Sequence, residues 1–467
     1  MNRNIPYNLN YVRLISIVAA IGGFLFGYDW VVVGGAKPFY EPYFGLETPG
    51  QQGWGTSSAL VGCILGALAC MYMADKFGRK RLLILAGFLF AISAIGTAMS
   101  SDFSAYNSYR ILGGLGIGIV LNLSPMYIAE MSPPHLRGKF VSLNQLMIMI
   151  GILSAQLVNW QISEMDTNLM PNATEEMIRQ SWSGQMGWRW MFGVEFIPAF
   201  LFFLLMWMIP ESVKWLLKKG ENEKAAEILN KIGGEDYARL EIAEVTAVLK
   251  SETVKTSYWK ELTQSNMLKI LMLGIFLAIL QQWSGMNVVF YYAADIFQAA
   301  GYDIKQMMLQ IAVIGTVMVI SVIFTIYLVD SLGRKTLMLF GTGALAVIYI
   351  IEGFCFYYGV SGIPIVVLTL LSVAVYSFTL APLLWVILSE IYPTHLRGAA
   401  MSIAATAHWI GNFSLTFTFP TIKENLGWPA NFWLYAGICT IGFIILILIL
   451  PETKGKSLEE IQQEFGV

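Results

Sequence analysis

Roughly twelve stretches of about twenty predominantly apolar residues follow one another along this chain, and no other feature restricts its fold as much. They fall at 14–36, 55–74, 82–100, 104–131, 140–162, 188–210, 269–300, 308–329, 336–358, 363–391, 399–420 and 429–450. In hydrocarbon every backbone N–H and C=O needs an internal partner, so each run is expected to be an α-helix. Only 13% of the 467 residues are charged against 56% hydrophobic, about half the charged share of an ordinary soluble domain. The expectation is an all-α membrane protein. The first run lies behind Arg3 and Arg13, but it is too long for a cleavable leader and further spans follow, so it reads as a retained helix.

Lysine and arginine gather in alternate loops. Lys76, Arg79, Lys80 and Arg81 follow the second run, Arg137 and Lys139 the fourth, Arg334 and Lys335 the eighth, and Arg397 the tenth. The opposite loops carry almost none. This bias assigns the basic loops, both termini and the central segment to the cytoplasm. The central segment is rich in Lys, Glu, Ala and Leu at helical spacing, and is expected to form amphipathic helices beneath the bundle. Cys63, Cys70, Cys355 and Cys439 all sit in apolar runs without a C-x-x-C pair, and three scattered histidines suggest no metal site. No cofactor is expected. A formal net charge of −2 gives no reason to expect nucleic acid as a partner.

An internal repeat organises the spans. Asp75-Lys76-Phe77-Gly78-Arg79-Lys80 returns as Asp330-Ser331-Leu332-Gly333-Arg334-Lys335. Glu130 with Leu136-Arg137-Gly138 returns as Glu390 with Leu396-Arg397-Gly398, and Pro210-Glu211-Ser212 as Pro451-Glu452-Thr453. Each set follows the second, fourth and sixth run of its half. The expected division is a six-helix half at 1–210, a helical linker at 211–266, a second six-helix half at 267–450 and a short tail at 451–467. A cleft between parallel repeats near the midplane is the usual place for a binding site in such a molecule.

Two clusters of polar residues stand out inside the runs. Gln281-Gln282-Trp283-Ser284-Gly285-Met286-Asn287 leads into Tyr291 and Tyr292 in the middle of an apolar stretch, where amides need partners or a wet cavity. Neutral amides and phenols beside aromatic faces suit a polyhydroxylated ligand; a single amide would equally serve to hold helices together. Asp29 lies about 22 Å into the first helix from the basic end, at 1.5 Å per residue. Arg110 lies at about 21 Å in a ~30 Å core, so an ion pair is geometrically allowed. An intramembrane carboxylate that loses its arginine partner takes up a proton more readily. The same pair could equally be a permanent structural bridge.

The segments GYDWVVVGGA at 27–36, DKFGRKR at 75–81, RILGGLGIGIVLNLSPMYIAE at 110–130, PESVKWL at 210–216, QQWSGMNVVFYY at 281–292 and PETKGKSLEE at 451–460 resemble the sugar porter family of the major facilitator superfamily over essentially the whole chain. Within it the chain is most similar to bacterial proton-coupled sugar symporters, the xylose–proton symporters among them, and more distantly to mammalian glucose facilitators. The resemblance implies the major facilitator fold, with twelve transmembrane helices in two six-helix halves and a cytoplasmic helical linker. It implies substrate contacts from Gln145, Gln281, Gln282, Asn287, Trp385, Trp409 and Asn412, and a gate at Tyr291 with Tyr292 beside it. It implies proton coupling at Asp29 and Arg110. It further implies a cytoplasmic charge network of Asp75, Arg79, Glu130, Arg137, Asp330, Arg334, Glu390 and Arg397 that bridges the halves in the outward-facing state. Phe26, one turn before Asp29, is a further pocket candidate, or simple packing.

The chain departs from the xylose symporters at Ile152, Met318, His408 and Ala381, and has Met71 where the superfamily loop motif often has glycine. His408 could bind a hydroxyl, lie neutral in a helix interface, or titrate. The expected function is proton-coupled import of a hexose or pentose by alternating access, without enzymatic chemistry. The expected setting is the bacterial inner membrane, with a sugar, a proton and the lipid bilayer as partners and the monomer as working unit. A passive facilitator, a polyol or inositol transporter and a transporter-like sugar sensor are the alternatives.

Overall fold

A computed structural model describes residues 7–170, 173–251, 261–393, 396–456 and 460–461, apart from the side chains of 248–251 and 325–331. Within these residues all regular structure is helical. The spans are α1 (Leu9–Phe44), α2 (Pro49–Phe77), α3 (Arg79–Met99), α4 (Phe103–Met131), α5 (Arg137–Met165), α6 (Ser183–Met208), α7 (Ser265–Tyr291), α8 (Ile304–Leu332), α9 (Arg334–Tyr357) and α10 (Ile363–Ile391). A last continuous helix, Arg397–Ile449, has 53 residues. At 1.5 Å per residue that is about 80 Å, far more than one ~30 Å crossing needs. Gly427 breaks it with φ 74° and ψ 175°. It therefore supplies two crossings, α11 (397–426) and α12 (428–449), and the total is twelve.

Helix ends differ from the apolar runs for a simple reason. Hydropathy marks the apolar slab, whereas helical backbone continues wherever water or side chains can satisfy it. Thus α1 extends to Phe44 through Lys37 and Glu41, and stops at Gly45 in the left-handed conformation. Local signals fix several starts. Thr48 with Gln51 and Asp303 with Gln306 form capping boxes at the N-termini of α2 and α8. Up to residue 251, the central segment before α7 contains a short helix, Val213–Lys218, and a long one, Asn222–Ser251, kinked at Gly234.

The repeat has a structural cause at the end of the bundle that carries the basic loops. Gly78 and Gly333 precede α3 and α9 at φ 96° and 89°, and neither has a side chain that could cap the helix. The cap comes from elsewhere. The Glu211 carboxylate accepts from the backbone N–H groups of Arg79 and Lys80, both at 3.0 Å. Glu452 does the same for Arg334 at 2.9 Å and Lys335 at 3.1 Å. A Cβ on either glycine would collide with that carboxylate. Lys80 and Lys335 then reach back to the carbonyls of Trp207 and Ile447, each at 3.0 Å, tying α3 to α6 and α9 to α12. The Pro-Glu motifs are thus helix caps supplied in trans.

Burial alone would raise the Glu452 carboxyl, but the N–H groups of Lys454, Arg334, Lys335 and Thr336 bring it below the ordinary carboxylate value. Its stabilising effect is present above that ordinary value and is lost as pH falls through the depressed one. Glu452→Gln should lower stability by about 1 kcal/mol and flatten the acid arm of the stability profile. An unchanged melting temperature and pH profile would remove the capping role.

Candidate functional site

Between the first six and the last six spans lies a cavity of about 520 Å3. It is closed above by α1 and α7 and extends to Ser142 and Val386, about a turn and a half from the basic ends of α5 and α10. Phe26, Gln145, Gln281, Gln282, Trp385, His408, Trp409 and Asn412 all line it. Trp30 lines it too, stacked on Phe26 at a centroid distance of 5.6 Å and 9° between planes.

Two broken helices shape the polar wall. α7 is interrupted at Gly285, φ 88° and ψ −10°, and resumes for the short run Met286–Tyr291. α10 is interrupted at Thr379, φ −118° and ψ −84°. The Gln281 amide donates to the carbonyls of Leu380 at 2.9 Å and Ala381 at 3.2 Å, in the first turn of α10 beyond its break, and so ties α7 to α10. Its oxygen accepts from the Gln282 amide at 3.2 Å. That amide nitrogen also lies 2.9 Å from Nδ1 and 3.1 Å from Nε2 of His408, at the ring edge between them. Asn287 differs from expectation: it is buried behind the wall and donates to the Gln282 oxygen, orienting that amide from outside the cavity. His408 lies in the wall, 5.4 Å from the Trp385 ring and 5.5 Å from that of Trp409. Met318 and Ala381 face the cavity, but Ile152 does not. Ile152 is packed under α1, where Gly27 meets α5.

One turn from this wall, Asp29 and Arg110 form a buried ion pair, and Arg110 lies 5.1 Å from the Phe192 ring. A third ionisable group escaped the sequence reading. Glu195 in α6 is buried within electrostatic reach of both, with Oε1 unpartnered. The rule that singled out Asp29, an acid inside an apolar run, would have found it. Two carboxylates and one guanidinium give this site a formal charge of −1 when all are ionised. A single proton neutralises it. Tyr291 lines a small gap beside Asp29, Arg110 and Trp409.

The end opposite the basic loops is shut. Lys37 of α1 pairs with Glu41 at 2.9 Å and with Asp295 at 2.7 Å, and Asp295 also takes Lys423 of α11 at 2.8 Å. Asp295 lies in the short helix Ala293–Ala299 that follows α7. Tyr292 donates to the Thr416 carbonyl at 2.7 Å and sits under Lys37. Gly34 lets α1 touch the outer part of α7: a Cβ there would strike the Phe290 carbonyl. Lys305 and Glu164 approach to 3.9 Å on the same side. None of these cations and acids was singled out from sequence, because each looks like an ordinary loop charge.

At the basic end, the ion pairs between spans among the described residues join helices of the same set of six. Arg79 binds Glu130 at 3.1 Å and Asp75 at 3.2 Å, and Arg334 binds Glu390 at 3.1 Å. Lys218 of the central segment reaches Asp75 at 2.7 Å. Arg137 and Arg397 turn back to the carbonyls of Ala129 and Tyr392. The Asp330 side chain is outside the described residues. Met71 is exposed, so it does not obstruct helix packing.

Twelve spans around a central cavity lined by amides, indoles and aliphatic side chains, and sealed at one end, define a membrane transporter. Residues 15–465 match the model of the sugar (and other) transporter family, and the chain belongs to that family. It is 36% identical to the arabinose-proton symporter of Bacillus subtilis, covering 98% of this chain and 97% of that one. It is 34% identical to the D-xylose-proton symporter of Escherichia coli K12, over 98% and 96%. Its fold superposes on the inward open conformation of the xylose transporter XylE from E. coli with a TM-score of 0.83 at 32% identity, covering 97% of this chain and 99% of the other.

Asp295 is the acceptor shared by Lys37 and Lys423. Removing one partner of a buried pair costs about 3–5 kcal/mol, so Asp295→Asn should loosen the sealed end. The expected result is labelling from that side, roughly tenfold faster or more, of a cysteine placed by Trp30→Cys. Unchanged labelling would leave the seal to the backbone contact at Gly34 and the Lys305–Glu164 approach.

Proposed function

We propose that this protein imports a monosaccharide, a pentose or hexose, together with a proton by alternating access. One observation carries this reading. Phe26 and Trp30 of α1 line the neutral, amide- and indole-walled cavity, while Asp29 between them turns to Arg110 and Glu195. A single helix therefore couples the ligand wall to the site that one proton neutralises. Gln145 and the Trp385 face offer a hydroxylated ring a hydrogen bond and an apolar platform. Gln282 is held ready by Gln281 and Asn287, so its oxygen and nitrogen directions are set before a ligand arrives.

In the arrangement described, the cavity opens toward the basic loops. The positive-inside rule makes that side the cytoplasm, with both termini there. The matching names of the arabinose and xylose symporters agree with a proton-coupled pentose carrier, and their bacterial sources with an inner-membrane setting. Outward opening requires the Lys37–Asp295 contact to part. It also requires the basic-end charges Glu130, Arg137, Glu390 and Arg397 to exchange their intra-set partners for ones across the cleft. A single chain contains the whole cavity and the charge site, which is consistent with a working monomer.

In proteoliposomes with an inward proton gradient, the native chain should concentrate its sugar. Asp29→Asn should abolish uphill accumulation while sugar exchange continues. Concentrative uptake by the variant would refute the coupling role, and gradient-independent equilibration by the native chain would make it a facilitator. Gln282→Ala and Trp385→Ala should each weaken binding by about 1–2 kcal/mol, roughly tenfold. Unaltered binding across a panel of arabinose, xylose, glucose and galactose would remove them from the pocket.

A further inference from the structure

A second cavity, of about 640 Å3, lies at the basic end between the starts of α1 and α3, the end of α6 and the central-segment helices. Four cations surround it: Lys80 and Arg81 at the start of α3, and Lys224 and Lys231 on Asn222–Ser251. Trp207 and Trp215 complete its wall. Three acids also line it, but each is engaged. Glu211 caps α3, Glu221 pairs with Lys224 at 2.6 Å and Glu227 with Lys231 at 2.7 Å. The last two are exposed pairs between residues three and four apart, the weakest kind, and a stronger anion can exchange with them. Lys80 has a carbonyl rather than an acid as its acceptor, and Arg81 pairs with none of the described residues.

The height of the cavity matters as much as its charge. Lys80 and Arg81 begin one span and Trp207 lies one residue before another ends, which puts the opening at the edge of the hydrocarbon. From that opening the α6 surface continues toward the core with exposed Leu204, Leu201 and Ile197, while Phe88 and Ile95 are exposed on α3. An indole beside a cation at this depth is an interfacial arrangement. A soluble anion would meet only the cations, whereas a lipid whose headgroup meets them also lays its acyl chains on the apolar strip directly below.

We propose that this cavity holds the phosphate-bearing headgroup of an anionic phospholipid, with its acyl chains on the exposed faces of α3 and α6. The phosphate lies between Arg81 and Lys80, and Lys224 and Lys231 turn from their glutamates toward it. The site is distinct from the sugar cavity and uses none of its residues.

The test is native mass spectrometry of the full-length chain incubated with phosphatidylglycerol and phosphatidylcholine. Phosphatidylglycerol should be retained in preference. Arg81→Gln with Lys224→Gln should cut that retention roughly thirtyfold, about fivefold for each surface cation and somewhat more for the pair. Glu227→Gln, which frees Lys231, should raise retention severalfold, an outcome no misfolded protein would give. Inorganic phosphate should not compete. Equal retention of the two lipids, or indifference to both variants, would overturn the proposal. Displacement of phosphatidylglycerol by inorganic phosphate would overturn it in favour of a soluble-anion site.

Discussion

A backbone break inside hydrocarbon opens carbonyls and amides that no water can reach, and each one left unpaired costs several kcal/mol. The break in α7 at Gly285 is covered by Tyr435 of α12 and that in α10 at Thr379 packs against Gly341 of α9, and side-chain hydrogen bonds join the two broken helices. Gln281 donates to the Leu380 and Ala381 carbonyls just past the α10 break, and the Ser284 hydroxyl donates at 2.7 Å to the Gln281 carbonyl, which the α7 break does leave open. Gln282, Asn287 and His408 extend the same chain of amides to the cavity wall. Polar satisfaction in a low-dielectric interior thus produces the polar part of the cavity wall from the bonds that join two broken helices. It also stiffens Gln281 and Gln282, each of whose side chains makes more than one hydrogen bond.

The same constraint governs the ionic groups. Asp29, Arg110 and Glu195 are buried together because no single one of them could be there alone. Three groups with two negative charges cannot be balanced without a proton or a rearrangement, whereas a plain pair could be. That imbalance separates a device from a rivet. At the sealed end, Lys37, Glu41, Asp295 and Lys423 are two cations and two acids, balanced as they stand. The balanced cluster is suited to holding one conformation, and the unbalanced one to changing with its protonation.

Much of this was legible in the sequence, and for physical reasons. Spans are visible because the bilayer demands about twenty apolar residues at a time. The repeat was visible because trans caps need Gly at 78 and 333 and Glu at 211 and 452. Asp29 was visible because charge in an apolar run is rare. Glu195 obeyed the same rule and was passed over. Lys37 and Asp295 were not legible at all: each sits near a span end, where charges are ordinary, and their meaning lies in being 2.7 Å apart after 258 residues of chain. Asn287 and Ile152 show the reverse case, since a residue can belong to a polar or variable set and lie outside the cavity lining in this arrangement.

Composition and periodicity by themselves determined the class of solvent, the number and order of the helices, the basic face and the twofold repeat. These follow from one-dimensional constraints: transfer of apolar length into lipid, and local capping chemistry. Only the tertiary structure decided which end is sealed, which carboxylates share Arg110, and which amides face the cavity rather than each other. Those outcomes depend on rotations of a few tens of degrees about each helix axis and on how closely glycines such as Gly34 let two backbones approach. Hydropathy does not encode such rotations, because a polar group buried in a bundle is satisfied by a partner and not by a position.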